Sequence, residues 1–155
     1  MNILSAAWQD AWHLLFPTCC AGCQQPYRPS AAPVCSNCME KLPQTHFAFF
    51  SENPIKTMLS QRFPVHAAHC EYYFLKEKTI QKILHALKYR QKKELGLMLG
   101  TALGMTLMES RRFDSIDCIV PVPMRPKKAR TRGYNQAQII ADGVAAVMKK
   151  PVSEM

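Results

Sequence analysis

The sequence predicts an α/β protein that begins with a small cysteine-rich module. Two pairs of cysteines lie within residues 20–38, and each pair has the spacing Cys-x-x-Cys. In the later part of the chain, segments of strand-like composition alternate with segments of helical periodicity. A short apolar strand at residues 116–122 leads directly into a segment rich in lysine and arginine. We therefore predict a module at residues 1–45, a connector at 46–64 and an α/β domain at 65–155.

Composition limits what these parts can do. The chain has 155 residues, and its 20 Lys and Arg against 11 Asp and Glu give a formal net charge of +9. This surplus favours anionic partners such as nucleic acid, nucleotides or sugar phosphates, and it specifies no fold. The N-terminal segment has no basic region, and Asp10 and His13 interrupt its apolar stretch. We therefore expect neither a signal peptide nor a membrane span, and we expect a cytoplasmic protein.

The first predicted element is an amphipathic helix at residues 3–15, which Pro17 ends. Its apolar positions recur at helical spacing: Leu4, Ala7, Trp8, Ala11, Trp12 and Leu15. The polar face is not cationic, so packing against the neighbouring module is favoured over adhesion to a membrane.

The cysteine pairs predict a metal site. Cys20 and Cys23 are separated by eleven residues from Cys35 and Cys38. This spacing is typical of a tetrahedral site in which four thiolates bind one zinc ion. The metal would replace the core that about 25 residues cannot supply. A disulfide framework is the alternative, but nothing in the sequence indicates export. Cys19 is a further candidate, since a shift of one residue would put it in place of Cys20.

The next segments lead to the larger domain. Residues 39–42 predict a short helical tail of the ribbon, ended by Pro43. Residues 44–64 lack a clean period and predict a connector with one or two helical turns. Residues 69–75 are rich in aromatic and apolar side chains and predict a strand. Cys70 and Cys118 lie in strand-like apolar surroundings, so both are expected to be buried.

Three later segments have the apolar periodicity of helices. The apolar positions are Ile80, Ile83, Leu84 and Leu87 in the first; Leu95, Met98, Leu99, Ala102, Leu103 and Leu107 in the second; and Ile140, Val144 and Val147 in the third. Gly96, Gly100 and Gly104 are expected to break the second helix softly. The strand at residues 116–122 lies between the second and third helices.

A loop with five cations is predicted after that strand. The cations are Arg125, Lys127, Lys128, Arg130 and Arg132. Ligands of open α/β sheets bind at the carboxyl ends of strands. Arginine presents a planar fork and lysine a point charge, which together suit a polyphosphate or a nucleic-acid backbone. The alternative is a solvated basic loop without a ligand.

Three features together resemble the competence protein ComF family. They are a Cys-x-x-Cys pair, the Leu87-Lys88-Tyr89 motif on a basic helix, and Val120-Pro-Val-Pro before Arg130-Thr-Arg-Gly-Tyr-Asn-Gln136. The resemblance covers roughly residues 16–146. It implies a zinc ribbon followed by a type I phosphoribosyltransferase-like domain, and an association with DNA uptake during transformation. It implies phosphoribosyl diphosphate with Mg²⁺ as a ligand, whereas the clustered cations suggest single-stranded DNA or a competence helicase as a partner.

The resemblance also implies roles for the basic segment. Lys128, Arg130 and Arg132 would belong to the loop that folds over the diphosphate. Gly133 would permit the turn, and Asn135 and Gln136 would fix the next helix. The candidate phosphate-binding or nucleic-acid-binding set is Arg125, Lys127, Lys128, Arg130, Arg132, Gly133, Asn135 and Gln136.

The sequence departs from the family pattern in one respect. It contains no Asp-Asp pair and no turn rich in Thr and Gly, which the family uses for the ribose hydroxyls and the 5-phosphate. It therefore resembles the first two-thirds of the family, as a C-terminally truncated chain would, and we assign no catalytic residue. The alternative function is a non-enzymatic zinc-ribbon module that binds nucleic acid or a partner, or an inactive fragment.

Overall fold

The computed structural model describes residues 18–27, 32–76 and 78–153, so the predicted helix at residues 3–15 lies outside it. The described part is mainly helical. Its helices are α1 (Ser36–Glu40), α2 (Pro54–Ser60), α3 (Thr79–Tyr89), α4 (Lys93–Ser110), α5 (Pro126–Arg132) and α6 (Gln136–Met148), with a 3₁₀ turn at Phe47–Phe49. No helix in these ranges has the length and apolar character that crossing a membrane requires.

The extended segments pair very little. Within the described ranges there are isolated bridges but no continuous sheet, and they join Cys19 to Pro26, Gln44 to Tyr72 and Ile119 to Val152. The predicted strands at residues 69–75 and 116–122 are thus reduced to one bridged residue each. The described residues therefore do not support a full α/β phosphoribosyltransferase-like fold, and the incomplete α/β domain that the sequence predicts has few strands in them.

One of the bridges is parallel and pairs Ile119, before helix α5, with Val152, after helix α6. The amide of Ile119 donates to the carbonyl of Pro151 at 2.9 Å, and the amide of Ser153 donates to the carbonyl of Ile119 at 2.9 Å. Helices α5 and α6 lie between these segments in the chain. A parallel pair joined through a helix has the connectivity of a β–α–β unit. The basic segment follows the first of the two extended segments, at its carboxyl end.

Helices α4 and α6 pack with their backbones in direct contact. A methyl group on Gly100 would lie 2.1 Å from the carbonyl oxygen of Ile140, and one on Gly143 would lie 2.6 Å from that of Leu97. The glycines of α4 leave the helix intact from Lys93 to Ser110. The expectation that they break the helix softly is therefore wrong, and these glycines instead form its contact face with α6.

A single hydrophobic core joins the cysteine module to helices α3 and α4. Its buried members include Cys20, Val34, Cys38, Leu42, Ile80, Ile83, Leu87, Leu95 and Leu99. The apolar stripes predicted for the first two later helices supply most of the helical side of this core. The domain boundaries at residues 45 and 64 remain a prediction. Cys118 is exposed and Cys70 is half-buried, so the expectation that both are buried is wrong.

Candidate metal centre and basic surface

The first cysteine pair lies on a tight turn. An antiparallel bridge between Cys19 and Pro26 closes this turn. The amide of Gln24 donates to the carbonyl of Cys20 at 2.9 Å, and Gln24 has a left-handed backbone with φ 64°. This reversal brings Cys20 and Cys23 within reach of one ion.

The second pair lies at the start of a helix. Cys35 is the N-cap of α1, and Cys38 is in the helix, where its amide donates to the carbonyl of Cys35 at 3.0 Å. The helix therefore begins before the predicted tail at residues 39–42, because the chain turns into it at Cys35. The amide of Ala21 donates to the carbonyl of Pro33 at 3.2 Å, which ties the two pairs together.

The four sulfurs form a compact group. The Sγ atoms of Cys20, Cys23, Cys35 and Cys38 all lie within 4.8 Å of one another, and those of Cys23 and Cys35 are 3.9 Å apart. A tetrahedral zinc site with Zn–S bonds of about 2.3 Å has S–S edges of about 3.8 Å. The cluster is thus compatible with zinc. No disulfide joins any of the chain's cysteines, all of which lie in the described ranges, and Cys19 is exposed outside the group.

The protein backbone supplies hydrogen bonds to one of these sulfurs. The amides of Gly22 and Cys35 donate to Sγ of Cys20 at 3.4 and 3.3 Å. Burial disfavours the thiolate, but the backbone hydrogen bonds outweigh it and lower the pKa of Cys20 from 9.0 to about 6. Burial and the neighbouring thiols raise the pKa of Cys38 to about 12. A divalent cation is what stabilises four thiolates at such short distances.

The four-cysteine cluster packs directly against helix α3. A methyl group on Gly22 would lie 2.7 Å from Cγ2 of Thr79 and 3.0 Å from Sγ of Cys38. The turn that carries Cys20 and Cys23, which we call the first cysteine knuckle, approaches the first residue of α3 closely. Gly22 is required there because a side chain would not fit.

The basic segment is a helix, so the prediction of a loop is wrong. Helix α5 begins at Pro126 and ends at Arg132. Proline suits the first helical position, and lysine, alanine and arginine are good helix formers. The cations with exposed side chains are Arg125, Lys128 and Arg130, whereas Arg132 is half-buried. The side chain of Lys127 lies outside the described part.

The end of this helix contacts the end of α3. The guanidinium carbon of Arg132 lies 5.7 Å from the centre of the Tyr89 ring. The hydroxyl of Tyr134 donates to the carbonyl of Leu87, and Nζ of Lys93 lies 5.4 Å from the centre of the Tyr134 ring. We call Tyr89, Lys93, Arg132 and Tyr134 the basic–aromatic surface. Both tyrosines lie in motifs that are noticeable in the sequence, but the sequence did not predict that these two motifs lie close together in the structure.

The residues after α5 turn the chain into α6. Gly133 has φ +76°, and a methyl group there would meet nothing within 4 Å, so the backbone conformation is what favours glycine. Asn135 caps α6: its Oδ1 accepts from the amide of Ala137 at 3.0 Å, and its Nδ2 donates to the carbonyl of Val122 at 3.1 Å. The cap thus joins the helix to the extended segment before α5.

Gln136 has an incompletely satisfied side chain. It is only 9% exposed, and its Oε1 accepts from Nη1 of Arg132 at 3.0 Å. Its Nε2 is buried without a hydrogen-bond partner among the described residues. A buried amide donor of this kind calls for an acceptor, either ordered water or a ligand.

Comparison of the chain with protein families, with curated proteins and with solved structures found no significant match. The resemblance to the ComF family therefore remains a prediction supported by its sequence motifs.

Proposed function

We propose that the protein is a ComF-type DNA-uptake protein in which a structural zinc ribbon supports a surface that binds single-stranded DNA. Cys20, Cys23, Cys35 and Cys38 would hold the zinc. Bound there, the metal would crosslink the two knuckles and supply no chemistry to a substrate. The basic–aromatic surface is the observation that supports the nucleic-acid part of the proposal.

This surface combines the two features that single-stranded nucleic acid needs. Aromatic rings stack on bases, and cations contact the phosphates. Tyr89 is 63% exposed, and Arg132 and Lys93 bring charges to the two tyrosine rings. Neither residues 78–93 nor residues 118–141 contain an Asp or Glu. Glu94, directly after Lys93, is the acidic side chain that acts on Tyr134. The segments that meet here are therefore predominantly cationic, which favours a polyanion over a mixed-charge protein partner.

Salt dependence tests the DNA proposal. We expect a fluorescent dT12 oligonucleotide to bind with a log–log salt slope of about −0.7 per contacted phosphate. The double variant Arg130→Ala, Arg132→Ala removes two cations, so its slope should be shallower by about 1.4 and its affinity lower at every salt concentration. Fluorescence anisotropy from low to moderate salt gives both quantities.

A charge-matched variant serves as the control. Lys41 and Arg62 are exposed and belong to neither cationic segment, so Lys41→Ala with Arg62→Ala should leave the slope unchanged. Equal losses in the two double variants would mean that net charge alone attracts DNA. Binding without a salt slope would also contradict the proposed site.

A second candidate ligand is phosphoribosyl diphosphate with Mg²⁺. The parallel pairing of Ile119 with Val152 favours it, because this pairing leaves the basic segment at the carboxyl end of an extended segment. The partnerless Nε2 of Gln136 beside Arg132 is a donor suited to a phosphate oxygen. The acidic pair and the Thr- and Gly-rich turn have no counterpart in these 155 residues.

We expect weak binding of this ligand and no turnover. Interactions with remote groups orient the reacting carbon, so their loss lowers both affinity and rate. Calorimetry with Mg²⁺ should give a Kd of roughly 1 mM, equivalent to about −4 kcal/mol. A pyrophosphate-release assay over amine and base acceptors should remain at background. Sustained turnover that Arg132→Ala abolishes would show that the protein is a working transferase.

A further inference from the structure

A cleft lies between the first cysteine knuckle and helix α3, apart from the basic–aromatic surface. It encloses about 340 Å³. Its lining residues are Ala21, Gln24, Gln81, Lys82, His85, Ala86 and Arg90. The volume falls within the range of about 300–1,000 Å³ that small-molecule sites occupy.

The cleft has an apolar floor and a cationic rim. Ala21 and Ala86 are buried, and their small side chains leave room for a planar ring. Lys82 and Arg90 are exposed cations on the same cleft, and none of the described residues that line it is acidic. Two glutamines complete the lining, and the exposed side-chain amide of Gln24 offers both a donor and an acceptor.

An aromatic pair adjoins this lining. The ring of His85 lies 4.6 Å from the ring of Tyr89, tilted by 42°. His85 faces the cleft, whereas Tyr89 belongs to the basic–aromatic surface. The pair therefore connects the cleft with the surface proposed to bind DNA, and a strand on that surface would pass close to the cleft.

We propose that this cleft holds one nucleotide, with its base over the alanine floor and its 5′-phosphate at Lys82 and Arg90. Amide side chains suit the mixed donor and acceptor edges of a base, and two cations suit a phosphate. The inference rests on the proposed DNA-binding function and names a subsite within it. The nucleotide is either free or a unit of a strand, since both present the same chemistry.

The cleft depends on the folded knuckle. Gln24 is held by the hydrogen bond from its amide to the carbonyl of Cys20 at 2.9 Å, and Ala21 by its bond to Pro33 at 3.2 Å. One wall of the cleft is thus built by the metal centre and the other by α3. Binding in the cleft therefore requires the intact knuckle, whereas the basic–aromatic surface is made by residues of α3–α5 and Tyr134.

The test uses the full chain with zinc present, and dAMP and the tetranucleotide d(A)4 as separate probes. Calorimetry gives affinities, and amide NMR signals of Gln24 and Gln81 report on the cleft. Lys82→Glu should weaken binding roughly tenfold or more, the loss expected for one charge-assisted hydrogen bond. Gln24→Gly should also weaken it, and glycine tolerates the left-handed backbone at this position.

The control is Lys88→Glu, which makes the same charge reversal on the same helix outside the cleft lining. It should leave dAMP affinity unchanged. Binding of dAMP identifies a free nucleotide as a ligand, and binding of d(A)4 alone identifies a nucleotide within a strand. The proposed subsite is excluded if neither probe shifts the amide signals of the two glutamines. It is also excluded if Lys88→Glu loses as much affinity for the probes as Lys82→Glu does. Salt-dependent binding of dT12 would survive that result, so the two proposals fail separately.

Discussion

Replacing Cys35 with serine is expected to release the metal and unfold the cysteine module. Wild-type protein purified in reducing buffer should contain about one zinc per chain, as a four-thiolate site predicts. The variant should contain close to none, since Cys35 supplies one ligand and its amide also donates to the sulfur of Cys20. Structural zinc contributes about 10–16 kcal/mol in zinc-finger peptides, so most of the module's stability should go with it. Elemental analysis and thermal unfolding by circular dichroism measure both effects.

Cys19 offers a matched control for this experiment. It is a cysteine directly beside a proposed ligand, but it is exposed and its sulfur is not in the cluster. Cys19→Ser should therefore retain zinc and unfold at the wild-type temperature. Loss of zinc from Cys19→Ser, or a folded, reduced wild-type protein without zinc, would exclude the proposed ligand set.

Damage from metal loss should extend beyond the module. Cys20 and Cys38 are buried in the same core as Ile83, Leu87 and Leu95 of helices α3 and α4. If the two cysteine knuckles unfold, one side of that core becomes exposed to solvent, including apolar side chains of α3. We therefore expect the helical signal of the Cys35→Ser variant to melt at a lower temperature as well.

Local signals made the four-cysteine cluster and the long helices predictable. Two Cys-x-x-Cys pairs specify which sulfurs can meet, because a tight turn and a helix start each fix two of them. The apolar stripe at Ile80, Ile83 and Leu87 likewise predicted α3, since helical periodicity is visible within a few turns of sequence. Such features depend on residues that are close together in the chain.

The sequence did not predict contacts between segments that lie far apart in the chain. The approach of Arg132 to Tyr89 depends on how α5 and α3 pack, and no periodicity within either segment encodes it. Residues 116–122 have strand composition, but a strand also needs a partner, and within the described ranges only Ile119 pairs, with Val152. The basic segment has the charge pattern of a solvated loop, but its lysine, alanine and arginine residues are also good helix formers. In the structure their helical propensity prevails.

The glycines of α4 show how packing overrides intrinsic propensity. Glycine in a helix interior costs about 1 kcal/mol relative to alanine, which is why the sequence suggested a softly broken helix. The structure places Gly100 where a methyl group would lie 2.1 Å from the carbonyl oxygen of Ile140 and 3.0 Å from Cα of Gly143. Both of these atoms are backbone, so no side-chain rotation can relieve the overlap. The lower propensity of glycine is offset by the close packing of α4 on α6.

Gly100→Ala should therefore destabilise the protein, although alanine is the better helix former. Overpacking typically costs about 1–3 kcal/mol and sometimes more, and overlap with backbone belongs at the upper end. We expect a net loss of about 3 kcal/mol after allowing for the propensity gain. For a chain of this size that lowers the unfolding temperature by about 6–12 °C. Denaturant titration of helical circular dichroism, with zinc in every buffer, measures the free energy of unfolding.

Graded variants separate the steric effect from any general sensitivity of these helices. Gly143→Ala should cost nearly as much, because its methyl would lie 2.6 Å from the carbonyl oxygen of Leu97. Gly104→Ala should cost less, about 1 kcal/mol, since its nearest contacts would be 3.0–3.2 Å and Val147 supplies one of them through a side chain. Met105→Ala is the control, because this residue of α4 is 55% exposed and should change stability by no more than about 0.5 kcal/mol. An unchanged or raised stability of Gly100→Ala would mean that α4 and α6 do not approach each other this closely, since helix propensity would then be the only effect left.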